Sequence, residues 1–209
     1  MHINWLGQTC VKLQSKNTKD EDVVILIDPY RPAIGEFPRS FSPNIVLYSK
    51  GEDGSATMSQ DPFAVQTLGE VELKDTMIYA LPGPESTDEI VFKIISEGLT
   101  IAHLGRLNKK LNTETIAKLG NPDILFIPVG GEKTNTLDAD DAAAIVTALE
   151  PRIIIPIAYQ CDTDPKAADV NDFIKTLGLK PEATDKKFII KKKDLPQEET
   201  KLYILEKNY

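Results

Sequence analysis

Short, fully apolar runs that stop at a proline or a carboxylate are the most constraining feature of this 209-residue sequence. The runs are residues 23–27, before Asp28; residues 124–127, before Pro128; and residues 153–155, before Pro156. Strands that are apolar at every position are typical of sheets covered on both faces. The runs therefore predict a layered protein in which the central strands are shielded from water on both sides.

Strand and helix signals alternate along the rest of the chain. Further strand patterns occupy residues 2–6, 9–13, 45–48, 76–81, 90–95 and 99–102. Helical patterns cover residues 113–119, with Asn112 as N-cap, residues 138–149, and a third helix that opens at Asp164-Pro165 and closes at Gly178. Residues 31–43 and 51–61 are predicted to be surface loops, and the last 25 residues a hairpin around Pro196. This order predicts an α/β sandwich, with two sheets stacked face to face and helices outside.

Composition excludes several classes of function. The chain carries 24 basic and 32 acidic residues, a formal net charge of −8, which argues against a nucleic-acid binder. No apolar run approaches the ~20 residues that span a bilayer, and the N-terminus lacks the features of a signal peptide. Two cysteines do not make a secreted disulfide framework. We therefore expect a cytoplasmic protein that binds neither nucleic acid nor membrane.

Six motifs, in order along nearly the whole chain, resemble one family. They are residues 3–10 for "I-x-W-L-G-H-S-C", 26–30 for "L-I-D-P-[FY]", 69–72 for "G-E-Y-E", 101–106 for "I-x-H-x-G-D", 123–131 for "D-[VI]-L-x-[IL]-P-V-G-G" and 151–159 for "P-x-x-x-I-P-x-H-Y". The chain resembles the metallo-β-lactamase fold superfamily, in the branch of small metal-dependent hydrolases that includes the ascorbate-phosphate lactonases. The resemblance implies one αββα sandwich domain over residues 1–209, with two mixed sheets and helices on the outer faces.

The resemblance also implies a site for zinc or a similar ion, which would lower the pKa of a bound water. The family's "[TS]-H-x-H-x-D-H" motif matches residues 49–55, which read Ser-Lys-Gly-Glu-Asp-Gly-Ser. The matched ligand positions are Lys50, Glu52, Gly54 and Ser55, together with Arg106 for aspartate and Ala158 for histidine. Residues 81–85 also lack a histidine expected there. A dinuclear site of this family uses about five histidines, whereas the sequence has two, His2 and His103. We therefore expect no metal and no other cofactor.

Several residues at the matched positions remain candidates for binding or catalysis. The ligand-binding candidates are Asp28, Lys50, Glu52, Asp53, His103, Arg106 and Tyr159, of which Glu52 and His103 are also weak catalytic candidates. Five of them have a structural alternative: a solvated turn for Lys50, Glu52 and Asp53, a hydrogen-bonded core histidine for His103, and a carboxylate that fixes loop amides for Asp28. A nucleophilic Cys161 activated by His103 is a minor alternative.

The cationic substitutions suggest what replaced the metal. Arg106 either pairs with a carboxylate or captures an anion, and ion pairing is favoured. We predict that Arg106, together with Lys50, pairs with Asp28 or Glu52 and takes over the electrostatic role of the ion. The sequence thus predicts a catalytically degenerate protein with a binding or assembly role. The alternative is a hydrolase with a relocated metal site or metal-free chemistry. The ligand, a small molecule or a protein, stays undetermined, as does homo-oligomer formation.

Overall fold

A computed structural model describes residues 1–84, 88–184 and 188–208 of the chain. The strands in chain order are β1 (His2–Gly7), β2 (Cys10–Lys16), β3 (Asp22–Ile27), β4 (Ser40–Phe41), β5 (Ile45–Leu47), β6 (Thr57–Met58), β7 (Phe63–Val65), β8 (Gly69–Leu73), β9 (Thr76–Pro82), β10 (Ile90–Ser96), β11 (Leu99–His103), β12 (Ile124–Pro128), β13 (Ile153–Ile157), β14 (Pro181–Glu182), β15 (Phe188–Ile189) and β16 (Lys201–Tyr203). The helices are α1 (Thr113–Leu119), α2 (Ala139–Leu149) and α3 (Val170–Leu177), with 3-10 turns at Glu132–Thr134 and Lys192–Asp194.

The strands form two mixed sheets and one small ribbon. The smaller main sheet has the order β15-β1-β2-β3-β5-β7, and the larger has the order β14-β16-β13-β12-β11-β10-β9-β8. In each sheet antiparallel strands adjoin parallel ones, as at β2–β3–β5 and at β10–β11–β12. Strands β4 and β6 pair separately. The structure confirms the predicted mixed α/β sandwich.

Alternate residues along the strands of the smaller sheet point to the larger sheet and pack against it. Ile3 and Trp5 of β1 belong to the main buried core, as do Ile25 and Ile27 of β3. The same core includes every residue of β12 except its terminal proline, in agreement with the unbroken apolar run. The core between the two sheets therefore buries many apolar side chains. Each buried methylene contributes about 0.8 kcal/mol to the stability of the fold.

The outer faces of the two sheets are covered differently. The buried residues of α1, α2 and α3 join the main core, and these helices follow β11, β12 and β13, so right-handed crossovers place them on one face of the larger sheet. On the smaller sheet, Leu6, Cys10 and Leu26 form a second apolar cluster. Within the described ranges its cover is loop and ribbon: Tyr30, Phe37, Phe41 and Met58.

Capping residues fix the helix ends where the sequence predicts them. The side chain of Asn112 accepts a hydrogen bond from the Thr115 N–H, and α1 ends at Gly120 with φ of 66°. The side chain of Asp138 caps α2 in the same way. These contacts satisfy N–H groups that the first helical turn leaves open.

The predicted start of the third helix is wrong. Helix α3 begins at Val170, with Asp169 as N-cap, whereas residues 160–168 form turns. The Ala168 N–H donates to the Gly130 carbonyl at 2.8 Å, and the Gln160 N–H donates to the Ala168 carbonyl at 3.0 Å. These bonds hold the segment against the loop that follows β12, so Pro165 does not open a helix there.

The predicted C-terminal hairpin is also wrong. Strand β15 pairs with β1 in the smaller sheet, whereas β16 pairs with β13 in the larger one. Between them, Lys192 Nζ donates to the Asp123 carboxylate at 2.7 Å, which anchors the crossing segment to the larger sheet. Likewise, the two predicted loops contain β4 and β6, whose pairing a local pattern could not reveal. No helix within the described ranges is long and apolar enough to cross a membrane.

Candidate functional site

A cavity of about 280 Å3 lies where loops from both sheets meet. It is lined by Gln8, Thr9, Asp28, Pro29, Tyr30, Tyr48, Lys50, Gly51, Asp53, Arg106 and Asn135. Asp28 follows β3 and Tyr48 follows the parallel strand β5, while Arg106 follows β11 and Asn135 follows the parallel strand β12. Carboxyl ends of parallel strands share one edge of a sheet, which is where α/β folds place ligand sites. The topology thus brings together four of the seven predicted candidates.

Asp28 uses its carboxylate to hold the neighbouring loop. Its Oδ1 accepts from the Ser49 N–H and its Oδ2 from the Ser49 hydroxyl, both at 2.7 Å. Ser49 is fully buried, and Asp28 has a left-handed φ of 47°. These are the contacts of a carboxylate that fixes loop amides, and they fix the start of the 50–54 loop.

Lys50 pairs with Glu89 across the rim of the cavity. Lys50 Nζ donates to Glu89 Oε1 at 3.3 Å, and the Lys50 side chain is 50% exposed whereas that of Glu89 is 2% exposed. Glu89 immediately precedes β10, so this pair joins the two sheets. An ammonium facing a buried carboxylate supplies positive charge at the position that the resemblance assigns to a metal-binding histidine.

Replacing Lys50 with methionine is expected to lower the free energy of unfolding by about 1–3 kcal/mol. This figure lies between the values for exposed and fully buried ion pairs, because only one partner is buried. Urea denaturation near neutral pH measures the loss. Lys118→Met is the matched control, since Lys118 is equally exposed but pairs with Glu114, whose side chain is 75% exposed. The control should cost under about 0.5 kcal/mol. Equal losses in the two variants would contradict the assignment.

Arg106 does not form the predicted ion pair. It is exposed and lines the cavity, and no carboxylate of the described ranges lies within 4.0 Å of its guanidinium. The prediction that Arg106 pairs with Asp28 or Glu52 is therefore wrong for these residues. The physical reason is that the Asp28 carboxylate is bonded to Ser49, while Glu52 is not among the residues that line the cavity with Arg106.

Glu52 and Asp53 lie in an exposed bend. The Glu52 carbonyl accepts from the Ser55 N–H at 3.0 Å, and the Gly54 carbonyl accepts from the Arg31 N–H at 2.8 Å. Asp53 lines the cavity whereas Glu52 does not. The bend is therefore fixed by backbone bonds, and it presents one carboxylate to the cavity.

His103 is not among the residues that line the cavity. Its side chain is fully buried, Nε2 lies 3.0 Å from the Thr9 carbonyl, and Nδ1 accepts from the Gly105 N–H at 3.1 Å. Because Nδ1 accepts, we assign the neutral form that donates from Nε2. Burial lowers the pKa of His103, an effect that the Asp28 charge and the Thr9 carbonyl partly oppose. The ring thus links two loops that line the cavity.

The lowered pKa of His103 predicts a pH dependence. The unfolded chain binds a proton near the ordinary pKa of about 6.5, above the pKa in the folded protein. Stability contributed by this residue is therefore present above that pH and is lost as the pH falls, by at most about 1.4 kcal/mol per pH unit. Urea denaturation at about pH 7.5 and about pH 5.5 should show a steeper loss in the wild type than in His103→Gln. Parallel losses would contradict the expectation.

Tyr159 and Cys161 lie outside the cavity lining. The buried Tyr159 hydroxyl donates to the Leu205 carbonyl, its ring packs on Trp5 at 4.2 Å between centroids, and burial raises its pKa. Cys161 Sγ lies 3.3 Å from Thr163 Oγ1. Since both nitrogens of His103 engage backbone groups, the histidine offers no free base to this thiol. Tyr159 therefore anchors the C-terminal segment.

The structure adds lining residues that sequence reasoning missed. Gln8 replaces the histidine of the opening motif, so the departure itself was a signal. Tyr30 follows the Asp-Pro element, and its hydroxyl lies 2.7 Å from Thr163 Oγ1. Asn135 carries no sequence signal: it ends the 3-10 turn after β12 with a left-handed φ of 54°. It enters the site because of tertiary placement alone.

A family profile described as "Beta-lactamase superfamily domain" matches residues 2–158. The chain belongs to the metallo-β-lactamase superfamily. A UPF0173 protein of Pyrococcus furiosus is 25% identical to it over 206 residues, covering 85% of this chain and 90% of that protein. A UPF0173 metal-dependent hydrolase of Methanoregula boonei is 26% identical over 207 residues, covering 83% and 88%.

Solved structures of superfamily members share the fold. A Thermotoga maritima protein of the metallo-β-lactamase superfamily aligns with a TM-score of 0.80 and 24% identity, covering 98% of both chains. Igni18, a metallo hydrolase from Ignicoccus hospitalis, aligns with a TM-score of 0.64 and 18% identity, covering 91% of this chain and 99% of that one.

The side chains at the superfamily's ligand positions do not fit a divalent ion. Lys50 and Arg106 offer no lone pair, and Gly54 and Ala158 have no donor side chain. Glu52 and Ser55 lie outside the cavity lining, and the Ser55 hydroxyl donates to the Tyr48 hydroxyl at 3.3 Å. Across residues 1–84, 88–184 and 188–208, no group of three or more His, Cys, Asp or Glu side chains converges to hold an ion. Glu85, at the end of one matched segment, is outside the described residues.

Several residues other than glycine at this cavity have a left-handed backbone conformation. Gln8, Asp28 and Ala158 have left-handed φ values of 45°, 47° and 59°, and the Ala158 N–H donates to the Gln8 carbonyl at 2.8 Å. Such conformations cost energy in residues other than glycine and cluster at functional sites. Two lining residues, Gln8 and Asp28, and a third residue bonded to one of them thus hold strained backbone conformations at this cavity.

Proposed function

We propose that this chain is a non-hydrolytic member of the superfamily in which the former metal cleft serves as a metal-free binding site. The observation that carries the proposal is the Lys50–Glu89 ion pair. Its ammonium occupies the position matched to the first histidine of the metal motif and already has a carboxylate partner at 3.3 Å. An ammonium at that place has no lone pair to offer a divalent ion. The cavity next to it is open and lined by polar groups.

The second candidate is a hydrolase with a relocated metal site. It is favoured by relatives named metal-dependent hydrolases, at 24% and 26% identity. Such a site would have to use Asp28, Glu52, Asp53 and His103. In the structure Asp28 holds Ser49, and the nitrogens of His103 engage the backbone of Thr9 and Gly105. These contacts support the metal-free alternative, because two of the four donors would have to leave buried hydrogen bonds.

Metal content and hydrolysis, measured on the same sample, test the proposal. The protein is purified without chelators and analysed by inductively coupled plasma mass spectrometry, with zinc, iron or manganese expected well below one ion per chain. Hydrolysis of a lactone, a phosphodiester and a β-lactam is expected to stay at background, before and after addition of zinc or manganese.

A stoichiometric metal with turnover that survives repurification would favour the relocated site instead. In that case Glu52→Ala and Asp53→Ala should abolish turnover. Glu72→Ala, which removes an exposed carboxylate of β8, should leave it unchanged and serves as the matched control. Turnover that is insensitive to all three variants would indicate a contaminating enzyme.

A further inference from the structure

The cavity contains a guanidinium whose charge the described protein does not neutralise. Arg106 lines the cavity and is exposed, and within the described ranges no carboxylate lies within ion-pair distance of it. Ion pairing was the favoured role of this residue from the sequence, and the structure removes it. What remains is the capture of an anion from solution.

Neutral hydrogen-bonding groups surround this guanidinium. Gln8 and Asn135 bring amide side chains to the cavity, and Tyr48 lines it as well. The Tyr48 hydroxyl accepts from Ser55 Oγ at 3.3 Å, which leaves its own proton for a ligand, whereas the Tyr30 hydroxyl already donates to the Leu6 carbonyl or to Thr163 Oγ1. Amides and phenols can donate to an oxyanion and also accept from hydroxyl groups near it. The planar fork of arginine binds carboxylate and phosphate through two parallel hydrogen bonds.

The acidic groups of the cavity do not cancel this preference. The carboxylate of Asp28 accepts two hydrogen bonds from Ser49, which orient and partly offset its charge. Glu89 is matched by Lys50. Asp53 lies on the exposed bend, where water weakens its repulsion of an anion but does not abolish it. Arg106 is thus the charge most available to a ligand.

We propose that the cleft binds a small oxyanion, a carboxylate or a phosphoryl group, on Arg106. The proposal rests on the metal-free binding site argued above and names the class of ligand that this site takes. The cavity of about 280 Å3 is large enough for a small ligand that carries such a group. Lys50 contributes no surplus charge, because its ammonium is paired with Glu89.

Isothermal titration calorimetry with inorganic phosphate and with succinate tests the proposal, at constant ionic strength set with sodium chloride. At least one probe should bind saturably with one site per chain. Arg106→Gln should weaken that binding about 10- to 100-fold, the loss expected for a charged hydrogen-bonding partner. The two probes distinguish a phosphoryl from a carboxylate ligand. Arg39→Gln, at another exposed arginine, is the matched control and should bind as the wild type does.

Asp53→Asn distinguishes an anion from a ligand that also carries a cation. Removing a carboxylate from the cavity rim should strengthen oxyanion binding by a few-fold, because like charge then no longer repels the probe. Weaker binding would instead show that Asp53 holds a cationic group of the ligand, and it would overturn the assignment of a simple oxyanion.

The Arg106→Gln variant should fold as the wild type does, so that a change in its calorimetry reports binding. Arg106 is exposed and unpaired within the described ranges, so the thermal midpoint of Arg106→Gln should match that of the wild type. Absence of saturable binding for both probes, or binding that Arg106→Gln leaves intact, would overturn the oxyanion assignment. Neither result bears on the metal measurement. A stoichiometric metal would overturn the proposed function, whatever the calorimetry shows.

Discussion

Replacing His103 with alanine is expected to lower the free energy of unfolding by about 3–5 kcal/mol. The imidazole is fully buried and packs near Phe126, with 5.7 Å between ring centroids. Its removal leaves a cavity and takes away the partners of the Thr9 carbonyl and the Gly105 N–H. An unsatisfied buried polar group costs about 1–3 kcal/mol, and the cavity adds to this. Urea denaturation near neutral pH measures the change.

The control is His2→Ala, which removes an exposed imidazole and should cost under about 0.5 kcal/mol. A loss below about 1 kcal/mol in His103→Ala would show that the ring does not hold the loops together. If turnover exists and disappears in His103→Gln without a loss of stability, the residue is a base and the structural role assigned to it is wrong.

Replacing Gly105 with alanine is expected to cost about 2–5 kcal/mol. Gly105 has a left-handed φ of 57°, which costs a residue with a side chain about 1–2 kcal/mol. A Cβ at this position would also lie 2.4 Å from Ser49 Cβ and 3.0 Å from the Ile90 carbonyl oxygen. Ser49 is held by Asp28, so it cannot move aside without breaking those bonds. Overpacking of this kind adds about 1–3 kcal/mol.

Gly98→Ala is the control that separates backbone strain from overpacking. Gly98 has a similar φ of 71°, but no atom lies within 4 Å of an added Cβ. We therefore expect Gly98→Ala to lose about 1–2 kcal/mol from backbone strain alone. The difference between the two variants measures the steric contact between the Arg106 loop and Ser49. Equal losses would show that the two loops are not packed as the structure has them.

The fold was predictable from local patterns because those patterns report burial directly. The run at residues 124–127 is apolar at each position, and the strand that contains it is buried on both faces. The helix ends were predictable because capping is a contact between residues three positions apart, as at Asn112 and Thr115. The C-terminal hairpin was not, since β15 pairs with β1 about 190 residues away. A short sequence pattern identifies a strand and says nothing about its distant partner.

In the candidate site, too, the sequence predicted the loops involved but not the contacts between distant side chains. The motifs indicated which loops would surround the cleft, and Asp28, Lys50, Asp53 and Arg106 do line one cavity. The motifs did not indicate which side chains form ion pairs or hydrogen bonds with each other. Lys50 forms an ion pair with Glu89, which no motif singled out, and Asp28 accepts hydrogen bonds from Ser49. Ion pairs depend on side-chain directions and distances of a few ångströms, which loop conformations set and motif spacing does not.

The sequence by itself determined the family, most of the central strands and the first two helices, and it shows that the chain has only two histidines. These features follow from residue identity and from periodicity, which are local properties of the chain. Only the tertiary structure decided that His103 is a buried brace between two loops and that Arg106 faces the cavity without a carboxylate partner. Burial and pairing are set where segments far apart in sequence come together, so they exist only in the folded chain.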